Sequence, residues 1–206
     1  EATQTAALTT TQVRALSTTQ LTALNATDVG EFTTAQVAAL TNTQAQSLTS
    51  TQLGGFADTQ IQALTTTQLA SMSTTQIRNL STEILAAMDT TQVAGLTATQ
   101  VAAITTTNLN ALDSSKLNAL STTQVRGLTT TQLASLDGTA LSALDATRYG
   151  ALLATQVKAF STTQVAGMEA SDVAKFGTTQ LAALTTAQVG ALTTTGIADL
   201  AATQMQ

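Results

Sequence analysis

The chain has 206 residues, a net charge of −5, and a composition that is 43% hydrophobic but only 9% charged. Its seven basic residues are scattered between Arg14 and Lys175, so no clustered Lys/Arg face is available for nucleic acid or an anionic membrane. Cys, His, Trp and Pro are all absent, which removes disulfides, thiol nucleophiles, imidazole bases and the usual haem and thiolate-metal ligands.

From Leu8 onward the chain is one unbroken series of octads. It reads LTTTQVRA, LSTTQLTA, LNATDVGE, FTTAQVAA, LTNTQAQS and so on through residue 199, then enters a partial octad at Leu200. Residues 1–7 fit the same frame, so 24 complete octads lie between two seven-residue partial ones. A fixed short period is the signature of a solenoid. No boundary interrupts it, and residues 1–206 read as a single continuous octapeptide-repeat array. Because both ends fall inside a repeat, the chain reads as a window on a longer array. The first residue is Glu, with no signal peptide after it. No apolar run approaches the ~18 residues of a membrane-spanning helix. Low charge together with high hydrophobicity also argues against simple disorder.

Within an octad each position has its own chemistry. Position 1 is always large and apolar: mostly Leu, with Phe32, Phe56, Phe160 and Phe176, Met72, Met88 and Met168, and Ile104. Position 6 is Val, Leu or Ile apart from Ala45 and Tyr149. These two positions form the expected core; position 8, usually Ala, Gly or Ser, sits where only a small group fits, and the variable position 7 faces water. Position 2 is Thr, Ser, Asn or Asp in 20 of 24 octads, the exceptions being Ala57, Leu153, Glu169 and Gly177. Such side chains accept hydrogen bonds from the free amides of a helix start. Three residues later comes Gln in most octads, which completes a capping box, while positions 1 and 6 supply the hydrophobic staple.

The spacing therefore predicts one helix per octad over positions 3 to 8, that is 10–15, 18–23 and so on along the chain. Each is about two turns and ~10 Å long. A helix that short does not stand alone, because nucleation is costly; neighbouring coils must cover positions 1 and 6. The expected fold is an all-α solenoid of very short capped helices, with 3–4 octads per coil. Spacings of 24 between Asp89, Asp113 and Asp137 suit three; the spacing of 32 between Asp113 and Asp145 suits four, which interior volume favours slightly. A β-solenoid is the alternative, since Thr and Val favour strands. A continuous helix would need 4.0 residues per turn and is set aside.

Position 4 is Thr in 19 of 24 octads, departing only at Ala35, Glu83, Ser115, Ser171 and Ala187. That strictness leads to the expectation that the position-4 Thr, with the position-5 Gln, forms a ladder between coils. No residue stands out as catalytic, cofactor-binding or metal-ligating. The acidic residues are sparse, no calcium-loop spacing occurs, and the position-2 Asp residues read as caps. No hydroxyl has a His partner. Gly54-Gly55 reads as a packing variant, not a phosphate loop. Tyr149 with Arg148 and Asp145 is the one polar–aromatic cluster and reads as an irregular repeat, whose buried hydroxyl would need a partner. Ice binding and O-glycosylation of the Thr-rich surface rank below a structural use of Thr, since mucin-like segments carry Pro and lack a core pattern.

Residues 90–96 (TTQVAGL) and Leu96–Ile104 (LTATQVAAI) resemble the octad repeats of very large secreted or surface proteins of bacteria, described as adhesin-like or haemagglutinin-like. The resemblance covers the whole chain. It implies an extracellular or cell-surface structural region, with no catalytic residues to carry over. The expected function is that of a structural protein, a fibre, filament or adhesin stalk, and not an enzyme. Its partners would be further copies or continuations of the same array, with possible cell-surface or glycan contacts, no nucleic acid and no membrane span. A surface-binding module for glycan, an abiotic surface or ice is the alternative.

Overall fold

The computed structural model describes residues 5–194. Of the terminal partial octads, residues 1–4 and 200–206 lie outside the described residues. Between Thr10 and Ala191 there are 23 helices of four to six residues, and no strand among the described residues. The fold is all-α, and the β-solenoid reading is set aside.

The helices start where the octad chemistry requires. In Thr10–Ala15, Thr9 is the N-cap with extended dihedrals (φ −72, ψ 158); its side chain accepts from the Gln12 amide while the Gln12 side chain accepts from the Thr9 amide. The same reciprocal pair recurs at Thr18–Ala23, Thr34–Ala39, Asn42–Ser47 and Thr66–Ser71. Asn25, Asp89, Asp113, Asp137 and Asp145 cap their helices as expected of them. At Ala57 and Leu153, where the cap side chain is apolar, Gln60 and Gln156 still accept from the cap amide. The full-length helices then stop at an extended position-1 residue such as Leu16 (φ −60, ψ 132), because the next cap must leave helical dihedrals. No described residue has positive φ. The corners are made of two extended residues and need no left-handed glycine.

Two compact units are formed, Glu1–Ile104 and Thr105–Gln206. In the first, Thr10–Ala15 packs on Thr34–Ala39, which packs on Asp58–Ala63, which packs on Thr82–Ala87. In the second, Thr106–Asn110 packs on Thr130–Ala134, which packs on Ala154–Val157, which packs on Thr178–Ala182. Each unit is thus an α-solenoid in which a helix lies against the one three octads on. Positions 1 and 6 fill its interior: Val13, Val37, Ile61, Leu85, Leu109, Leu133 and Val157 are all within 1% of full burial.

The coils are joined by the position-5 glutamines. Gln68 is representative. Its Oε1 accepts from the Thr65 amide (2.7 Å), and its Nε2 donates to the carbonyls of Val37 (3.0 Å) and Leu40 (2.7 Å) in the coil before. Gln44, Gln52, Gln76, Gln92, Gln100, Gln156 and Gln188 repeat this fork onto residues 31 and 28 positions earlier. A short helix leaves its last carbonyls without intrahelical donors. The fork supplies them, and no buried side-chain polar atom among the described residues lacks a partner.

The fork reaches past the helix three octads back to the end of the helix before it. Helix packing at three octads falls within the expected range of 3–4.

The expected partner of Gln in the ladder is corrected. Every described position-4 residue, from Thr11 to Ala187, is exposed. Among the described residues one position-4 hydroxyl has a protein partner, Thr99 with Thr97 (3.0 Å). Position 5 makes the ladder without position 4, because position 4 in the first helical turn points outward once positions 1 and 6 are turned in.

Glycine matters at one close approach. A Cβ on Gly55 would stand 2.3 Å from the Ala26 carbonyl oxygen, and one on Gly30 would stand 2.5 Å from the Gly55 oxygen. The packing-variant reading of Gly54-Gly55 therefore holds at Gly55, where two helices of successive coils touch backbone to backbone.

Two outcomes follow for chemical denaturation. Gln68→Ala removes a cap partner and both carbonyl partners and lowers stability by about 3 kcal/mol, whereas Gln12→Ala, which loses cap bonds only, costs about 1 kcal/mol or less. Equal losses would show that the inter-coil half of the fork contributes nothing. Gly55→Ala is destabilising by about 1–3 kcal/mol through overpacking, while Gly150→Ala, with nothing within 4 Å of the added Cβ, is stabilising by about 0.5–1 kcal/mol through helix propensity.

Candidate functional site

The repeat loses its regularity in the second unit. At position 5, Ala140, Arg148 and Asp172 stand where Gln is usual, and each is accommodated differently. Ala140 gives up the fork, and Asp137 caps the Ala140 amide (2.8 Å). Arg148 rebuilds half of the fork: its Nε donates to the Leu120 carbonyl (2.9 Å), 28 residues back, and its Nη1 donates to Asp145 Oδ2 (2.9 Å). The predicted cluster of Asp145, Arg148 and Tyr149 is therefore partly assembled. Asp145 and Arg148 form an ion pair, while Tyr149 points the other way, into the core, fully buried.

The Tyr149 hydroxyl does find its required partner, donating to the Leu141 carbonyl (3.1 Å). Its ring meets Phe176 edge-on at 4.8 Å, and Phe176 meets Phe160 at 6.3 Å. Lys175 Nζ lies 5.6 Å from the Tyr149 ring centroid, within cation–π range. The same ammonium donates to Asp172 Oδ1 (2.9 Å) and the Ser142 carbonyl (2.8 Å), and Ser142 Oγ donates to Asp172 Oδ2 (2.8 Å). Burial pushes the Asp172 carboxyl up, but the bonds from Lys175 and Ser142 and the Lys175 charge outweigh it and hold it below its ordinary value. Burial, reinforced by the nearby Asp172 charge, raises the Tyr149 hydroxyl far above its ordinary value.

Beside this cluster is a cavity of about 250 Å³, bordered by Asp137, Gly138, Ser142, Gly167, Met168 and Asp172. Gly138 stands where Thr is usual, and a Cβ there would meet nothing within 4 Å. The hydroxyl proton of Ser142 is committed to Asp172, and Asp172 is committed to Lys175. The arrangement therefore locks side chains of separate octads together through Asp172. Among the described residues no three His, Cys, Asp or Glu side chains come together to hold a metal ion.

Sequence reasoning missed Ser142, Asp172 and Lys175 as a group, since Ser142 lies several helices before the octad that holds the other two. The available signal was Lys175 at the small-residue position 8, three residues after an acid at position 5. It also missed that position 7 bonds between coils. Asn110 donates to the Ser135 carbonyl (2.7 Å) and accepts from the Asp137 amide (3.1 Å); Asn118 does the same with Ala143 and Asp145. Arg126 and Gln62 each donate to one carbonyl 25 residues on. The expectation that position 7 faces water holds for most octads, with these as corrections. A long polar side chain there can lie along the groove and reach the next corner.

Short capped helices packed at three octads and a fork repeated from coil to coil define a repeat protein of the α-solenoid class. The chain belongs to the ALTTAQ-repeat family, whose profile matches residues 69–106, 101–138 and 165–202, together just over half of its length. Each match begins at octad position 6, at Leu69, Val101 and Val165. No curated protein matches the chain. No helix among the described residues is long and apolar enough to cross a membrane.

Tyr149 is the only tyrosine, so its titration is directly readable. Its raised value means that the fold prefers the neutral phenol. Stability is unaffected below the unfolded value of about 10 and falls as pH rises above it. Ultraviolet absorbance should show phenolate appearing well above pH 10 and together with unfolding. A transition at about 10 in the folded protein would contradict the burial, and Tyr149→Phe should remove this part of the alkaline sensitivity.

Proposed function

We propose that the protein is a structural repeat array, forming part of an extracellular or cell-surface fibre, filament or adhesin stalk, with no reaction to catalyse. The observation that carries this reading is the position-5 fork. In most octads the position-6 and position-1 carbonyls of one coil accept from the position-5 Gln of a later coil in the same way. Such a contact can be repeated without limit, because every coil interacts only with its neighbours. The irregular cluster at Ser142, Asp172 and Lys175 fits the same use, since its bonds tie coils together where the fork is missing. Recognition of a flat, regular surface by the Thr-rich exterior finds less support.

The test is made on the cells that produce the protein. Antibody to the chain should label intact cells, and electron microscopy of shed or extracted material should show thin extended structures carrying the same label. Labelling confined to permeabilised cells, on compact particles, would overturn the proposal.

A further inference from the structure

Position 4 presents a contradiction within the chain itself. It is the strictest polar position of the octad, Thr in 19 of 24, and Ser115 and Ser171 keep the hydroxyl. Yet every described position-4 residue is exposed. Other exposed positions have drifted. Position 3 has become Ala26, Asn42, Asp58, Ala98, Gly138 and Ala146, and position 7 holds Arg14, Gln46, Lys158 and others. Position 2 is held by capping and position 5 by the fork. Position 4 has no inward task of this kind: its hydroxyls face solvent, with Thr99 alone reaching a protein partner. Helix propensity does not account for it, since Thr is a middling helix former. The hydroxyl is therefore kept for something outside the fold.

We infer that the position-4 threonines are sites of O-linked glycosylation by an enzyme that reads one octad at a time. A transferase acting on one exposed helical turn needs no alignment between the hydroxyls of successive coils. Losses at Ala35, Glu83 and Ala187 are tolerated, as expected of marks that act singly. A neutral sugar also suits the charge balance. Phosphate would add about −1.5 to −2 at each site to a chain already at −5 with seven basic residues. In the step, the threonine Oγ1 bonds to the anomeric carbon of a nucleoside-diphosphate sugar. The bond from that carbon to the phosphate oxygen breaks, the nucleoside diphosphate leaves with the electron pair, and the hydroxyl proton passes to the transferase's base. The outward first turn of the helix accepts the bulk without disturbing positions 1, 5 or 6.

Two measurements test this. Peptide mapping by electron-transfer fragmentation, on protein isolated from its own cells, should place sugars on position-4 residues such as Thr67, Thr91 and Thr155 in preference to positions 2 and 3. Unmodified peptides, phosphate in place of sugar, or sugars spread evenly over positions 2 to 4 would each overturn the assignment. In unmodified recombinant chain, Thr67→Ala, Thr91→Ala and Thr155→Ala combined should leave the thermal midpoint unchanged or raise it through helix propensity. A clear drop would show that position 4 is kept for folding and would also overturn it.

Discussion

The glutamine fork is the interaction on which the rest depends. A two-turn helix cannot supply its own stability, and its two ends together expose more backbone groups than it can satisfy internally. One side chain answers both difficulties. Its oxygen completes the start of its own helix, and its amide completes the end of a helix in the coil before. Because Thr33, Thr41, Thr49 and Thr65 present their amides in the same geometry to Gln36, Gln44, Gln52 and Gln68, a single residue type fixes the join between coils. The apolar core could tolerate some sliding of coil over coil. A donor that must meet two carbonyls at once cannot.

The start of each helix was legible in the sequence because capping is local chemistry. Thr9, three residues before Gln12, specifies the turn whatever the fold around it, and the replacements Asn25 and Asp89 confirm the role by keeping the acceptor. The number of octads in a coil was not legible. It depends on how helices settle against each other across the interior, and spacings between particular Asp residues carry no information about that. Position 4 was misread for a related reason. Strict retention of Thr suggested an inward contact, but retention records only that a group is used, not on which side of the chain.

The irregular stretch illustrates what a repeat tolerates. Arg148 keeps a donor at the place of the lost Gln amide, while Asp172 reverses polarity and recruits Ser142 and Lys175 to satisfy it. Around them Tyr149, Phe160 and Phe176 build a bulkier core than elsewhere. None of this was visible from the octad pattern beyond the presence of unusual residues, because Arg148 and Asp172 are completed in part by Leu120 and Ser142, 28 and 30 positions earlier. Asn110 and Asn118 show the converse: variable residues at a position of low constraint acquire bonds that the pattern does not require.

The fork always points one way along the chain. Residues later in sequence donate, and residues earlier in sequence accept, as Gln44 does to Val13 and Leu16. A chain synthesised or exported amino end first thus always presents a growing edge of the same polarity. That edge carries bare carbonyl oxygens, while the helix-start amides behind it are already taken by their own Thr and Gln. Its donors are confined to scattered position-7 side chains such as Gln62, Asn110, Asn118 and Arg126. The direction of one amide group therefore leaves a half-made array with an edge rich in acceptors and poor in donors, a mismatch that disfavours the edge-to-edge pairing sheet proteins must block by other means.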